Sequence, residues 1–125
     1  RASLVFAAWY RRQARQYLAD RVGWYAQNLG LKFQQLKITS ARHRWGSCSA
    51  TGNLNFTWRL VMAPLDVIDY VVVHELAHLK EMNHSKRFWS LVAKNCPEWR
   101  QHKKWLKDHE TELNYCATFS HLAVK

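Results

Sequence analysis

Val71-Val72-Val73-His74-Glu75-Leu76-Ala77-His78 is the stretch on which the reading of this chain turns. Its first half favours a strand, because valine's branched side chain suits an extended backbone. Its second half is the pattern H-E-x-x-H. An α-helix turns by about 100° per residue, so residues four apart share a face. In a helix, His74 and His78 can therefore both reach one ion. The stretch is predicted to be helical against its local propensity. A helix apolar over most of its circumference is predicted to be buried. Burying two imidazoles and a carboxylate without partners is costly, and a metal ion removes that cost.

The chemistry follows from the residue types. Zinc takes histidine nitrogen at about 2.0–2.1 Å and lowers the pKa of a bound water to about 7. Glu75, one step round the helix from His74, is placed to take a proton from such a water and pass it to a leaving group. Catalytic zinc usually has three protein ligands and one open position. His84 is the preferred third ligand. It requires the helix to end near Met82, with Asn83 adopting the left-handed conformation that stops helices. Glu98, on a later helix, is the alternative. His43, His102, His109 and His121 lack comparable spacing and read as ordinary polar residues.

Upstream, Pro64 suits the first turn of a helix, and Asp66 and Asp69 suit its dipole. Leu54, Phe56, Trp58 and Leu60 alternate with polar residues, which predicts a strand. The turn residues Ser49-Ala50-Thr51-Gly52 join it to a strand over 42–48 as a hairpin. A further strand lies within 32–39. Residues 7–29 carry Tyr10, Tyr17, Leu18, Val22, Tyr25 and Leu29 at helical spacing, ended by Gly30. Downstream, helices are predicted over 85–95 and from Pro97 to Glu112. The last ten residues, 116–125, form a tail without a motif.

The 125 residues suit one domain spanning 1–125, and 48% hydrophobic residues can supply a core. No run approaches the roughly 20 apolar residues of a membrane span. Cys48, Cys96 and Cys116 make an odd count without a CxxC pair, which argues against a disulfide framework and for a reducing cytoplasm. Cys48 reads as a buried thiol rather than a nucleophile. The net charge of +10 and pI of 9.9 suit an anionic partner such as nucleic acid or a nucleotide, although charge alone specifies no chemistry.

Trp45-Gly46-Ser47-Cys48, the stretch from Asn55 to Pro64, Val71 to Lys80, and Asn83 to Trp89 together resemble the YgjP-like metallopeptidase family. The resemblance covers about residues 10–108. It implies an α+β, minimal zincin fold: a small twisted sheet of about three strands on the H-E-x-x-H helix, with additional N- and C-terminal helices. It also implies zinc held by His74, His78 and His84, with Glu75 as general base. The wider group is similar to SprT-like and WLM proteases, some of which act on DNA-bound proteins. The chain departs from metzincins, which have glycine at the position of Glu81 and a later methionine turn. The expected function is hydrolysis of a peptide or protein substrate, with β-augmentation on a strand near 44–47. Trp45 is read as buried aromatic packing, with a place at the border of the cleft as the alternative. Arg42, His43, Arg44 and Asn55 are candidate oxyanion stabilisers. Two alternatives are a metal-dependent nucleotide hydrolase and a non-catalytic, zinc-containing nucleic-acid-binding domain.

Overall fold

The computed structural model describes the backbone of residues 2–123 and the side chains of residues 8–111. The long helix α1 (Ala2–Leu29) leads to strand β1 (Gln35–Thr39), then β2 (Gly46–Cys48) and β3 (Asn53–Thr57). A short 3-10 helix (Trp58–Met62) follows, then α2 (Leu65–Ala77), α3 (Lys86–Asn95) and α4 (Trp99–Ala123). The chain is α+β, as the sequence implies. No helix among the described residues is long and apolar enough to cross a membrane.

The three strands lie in the order β1-β3-β2, so β3 is central and β2 is an edge. β2 and β3 form the expected antiparallel hairpin, with Gly52 at a φ of 91°, where a side chain would be strained. β3 also pairs with β1 in parallel, aligning Leu36 with Leu54 and Ile38 with Phe56. Leu54 and Phe56 are fully buried on one face, and the intervening Asn53 and Asn55 are half-buried on the other.

The strand expected to run through Leu60 stops at Thr57. Thr57 caps the 3-10 helix by accepting a hydrogen bond from the Arg59 amide at 3.4 Å. Trp58, Arg59 and Leu60 are buried in succession, which a half-covered strand does not allow. Arg59 reaches into the fold to donate from Nη1 to the Ser40 and Ala41 carbonyls, and its guanidinium lies 4.5 Å from the Trp58 ring centre.

α1 buries Ala14, Leu18, Val22 and Ala26, one per turn, and starts before the predicted residue 7. It ends where Gly30 takes a φ of 69° and the Leu31 amide bonds back to the Ala26 carbonyl at 2.9 Å. α2 is helical through its valines. Val71, Val72, Val73, Leu76 and Ala77 are all buried, so packing on several sides overrides strand propensity. Pro64 starts this helix, its carbonyl accepting from the Val67 and Ile68 amides. Asp69 faces α1 instead of serving the helix dipole. It receives two hydrogen bonds from Arg21, at 3.0 and 2.8 Å, and one from the Tyr25 hydroxyl.

Helix α2 ends at Ala77, five residues before Met82. The following turn is right-handed: the Leu79, Lys80 and Glu81 amides bond back to Leu76 and Ala77. No described non-glycine residue has a positive φ, so Asn83 does not supply the expected left-handed stop. The chain instead reverses by tightening its last turn and restarting at Ser85, which caps α3 through the Phe88 amide at 3.3 Å. α4 begins at Trp99, just after Pro97, and extends past the predicted end at Glu112. The side chains of Cys116 and His121, and those of the proposed tail, lie outside the described residues.

Candidate metal centre

His74 occupies the last turn of α2, His78 caps it, and His84 lies in the loop that returns to α3. The loop closes the geometry the sequence predicts: one ligand atom from each histidine lies within 4.8 Å of the other two. Ligands about 2.1 Å from one tetrahedral ion sit roughly 3.4 Å apart, so small side-chain movements bring the three onto an ion. Glu98 is exposed and is not part of the cluster. Neither are His43, His102 and His109.

Hydrogen bonding sorts the ring nitrogens. His78 Nδ1 lies 3.1 Å from the Glu81 carbonyl, which can only accept. Its proton therefore sits on Nδ1, and Nε2 keeps the lone pair. His74 Nδ1 is 3.1 Å from Glu75 Oε2, and an ionised carboxylate imposes the same tautomer. Burial, and then the neighbouring His74 and His78, push the His84 pKa below its ordinary value. This favours the neutral imidazole that binds metals. The donor set thus fits a divalent ion with affinity for imidazole. Among the described residues it supplies three ligands, whereas a structural zinc usually takes four.

Phe88 forms the floor. Fully buried in α3, its ring lies 5.0, 4.5 and 4.8 Å from those of His74, His78 and His84. The sequence shows Phe88 only as a core position of an amphipathic helix. Trp89 stacks on His84 with a centroid separation of 5.8 Å and on Trp99 at 4.1 Å.

Glu75 is 6% exposed, and its Oε1 makes no hydrogen bond among the described residues. It shares a cleft with Trp45, Gly46 and His74. Gly46 sets the depth of that cleft. A Cβ at this position would lie 3.0 Å from the Asn55 oxygen and 3.1 Å from Glu75 Cγ, tighter than most real contacts, so its neighbours would have to give by a few tenths of an ångström. Glycine thus lets β2 and α2 approach closely without displacing either. Trp45 packs against the core, the favoured expectation, and also borders the cleft. Asn55 donates to Ser47 Oγ at 3.2 Å across the hairpin. Cys48 is half-buried, and desolvation followed by the Glu75 charge pushes its thiol up to about 11, which disfavours a nucleophilic thiolate. Tyr70, Lys103, Leu106 and Lys107 complete the wall. No spacing rule connects these residues to the histidines, because the two α4 lysines reach the cleft only through tertiary packing.

A small mixed sheet beside a helix carrying H-E-x-x-H, with a third histidine returned by the next loop, defines a zincin-type metallopeptidase fold. The chain belongs to the YgjP-like metallopeptidase domain family, whose model matches residues 2–109. In fold it is similar to the crystal structure of the metallopeptidase zymogen abylysin of Pyrococcus abyssi. That likeness has a TM-score of 0.65 at 21% identity, covering 73% of this chain and 93% of the other. No curated protein shows significant sequence similarity.

Proposed function

We propose that this metallopeptidase domain is a zinc peptidase in which His74, His78 and His84 hold the ion and Glu75 is the general base. The observation that carries the reading is the convergence of three imidazoles within 4.8 Å beside a buried carboxylate that opens on the same cleft. When bound, the ion supplies Lewis acidity toward water and the scissile carbonyl. The chain's own residues do the rest. An extended peptide pairs with the free edge of β2, which leaves its backbone beside Glu75. Glu75 takes a proton from the attacking water as the water oxygen bonds to the carbonyl carbon. It then delivers that proton to the leaving nitrogen as the C–N bond breaks. The His74 and Glu81 contacts hold Glu75 and His78 in orientation. Phe88 keeps water from the back of the cluster.

The test is one incubation of the zinc-loaded protein with a mixture of unfolded peptides and nucleoside triphosphates, followed by mass spectrometry. New peptide termini are expected with the parent protein. Glu75→Gln should lower their appearance by at least about a thousandfold while still binding one zinc per chain. Intact peptides beside cleaved triphosphates would replace this reading with phosphoanhydride hydrolysis.

A further inference from the structure

Helix α4 presents lysines in two different situations. Lys103, Lys104 and Lys107 are all exposed, but Lys104 is ion-paired with Asp108. Lys103 and Lys107 line the cleft that contains His74 and Glu75. Neither has a carboxylate within ion-pair distance among the described residues. The Lys103 ammonium lies 5.1 Å from the centre of the Trp89 ring, the ring that stacks on His84. A positive charge is thus held one aromatic ring away from the candidate metal ligands. Glu110 also lines the cleft, about one turn beyond Lys107, so Lys103 is the charge left farther from compensation. Charges on low-dielectric walls focus their field into a cleft more strongly than the same charges on an open surface.

Spacing gives the cations a matching ligand. Lys103 and Lys107 are one helical turn apart, about 6 Å along the axis. Residues two apart in an extended chain lie on one face and are separated by about 6.6 Å. Carboxylates on alternate residues of an extended peptide therefore match both lysines together.

Resting on the peptidase reading above, we propose that Lys103, supported by Lys107, makes the site select substrates with a carboxylate beside the scissile bond, and most strongly those with carboxylates two residues apart. The carboxylate comes either from Asp or Glu side chains or from a free C-terminus, and both present the same chemistry to an ammonium group.

The test uses peptides of one length carrying Asp or Glu, their Asn or Gln isosteres, and free or amidated C-termini. Cleavage by the zinc-loaded protein is followed by mass spectrometry. Binding of labelled peptides to zinc-loaded Glu75→Gln is followed by fluorescence anisotropy. Acidic peptides are expected to exceed their amide isosteres about five- to tenfold in both kcat/KM and affinity for each lysine engaged. The amidated series identifies whether side chains or the terminus supply the carboxylate. Lys103→Glu should invert the preference toward basic peptides. Lys104→Glu changes the total charge equally but lies about 100° round the helix from Lys103 and outside the cleft lining, and should leave the preference at its parental ratio. Equal handling of acidic and amide peptides overturns the proposal, as does an equal shift by Lys103→Glu and Lys104→Glu. Acid-selective binding without any cleavage would sustain the carboxylate site and sink the peptidase reading.

Discussion

Arg21 and Lys103 are both cations on helices packed against α2, and the fold treats them in opposite ways. Arg21, on α1, is closed into a two-point ion pair with Asp69, reinforced by Tyr25. Lys103, on α4, faces the cleft without a carboxylate partner among the described residues. One side of α2 satisfies its charges internally, as a packing surface should. The other side brings His74 and Glu75 to a cleft that Lys103 and Lys107 of α4 also line. The same helix is a packing surface on one face and the wall of a cleft on the other.

The largest test of this contrast is metal removal. If the three histidines hold zinc, saturation at about a thousand times the Kd adds about 4 kcal/mol to unfolding free energy. Denaturant titrations should lose that increment on chelation, and His84→Ala should be indifferent to the chelator. Identical curves with and without chelator would remove the metal from the cleft side.

Asp69→Ala breaks the closed side. It should cost about 2 kcal/mol, because it leaves the half-buried Arg21 guanidinium without its carboxylate. The loss should be the same in metal-free and metal-loaded protein, with kcat/KM per folded molecule nearly unchanged. A variant that loses metal affinity instead would show that the two sides are coupled.

Gly46→Ala addresses the boundary between sheet and helix. The added methyl must displace either β2 or Glu75, at about 1–3 kcal/mol. The expected signature is a fall in kcat with zinc still bound, read from turnover and metal content.

The smallest effect is alkaline. Burial raises the thiols of Cys48, near Glu75, and Cys96, near Asp69, to about 11 from an ordinary 9.0. Below pH 9 both are protonated in folded and unfolded chains, and their contribution to stability is intact. As pH rises from 9 to 11 the unfolded thiols ionise first, so stability falls. Cys48→Ala and Cys96→Ala should each flatten that slope in thermal melts, and an unchanged slope in both would assign it to other groups.

The histidine cluster was legible because its members lie within eleven consecutive residues and a helix plus one turn brings them together. Trp58 and Leu60 misled because they continue the parity of Leu54 and Phe56, while Thr57 ends the strand by capping the next turn. The parallel pairing of β1 with β3 has no local signature: it joins segments with a whole strand between them. Asn83 misled for a related reason, since a tightened right-handed turn does the work expected of a left-handed residue. Gly46 was visible as a letter but not as a spacing device, because the atoms it would strike belong to β3 and α2.

The strand order also carries a consequence for how the cleft is assembled. β2 and β3 pair between residues close in sequence, whereas β1 and β3 pair across the entire β2 segment. Loop-closure entropy favours the shorter closure. The hairpin bearing Gly46 is therefore the pairing with the lower closure cost, and the β1–β3 pairing carries the higher one. The edge strand that borders the cleft is thus a product of local pairing, whereas completion of the sheet depends on a long-range one.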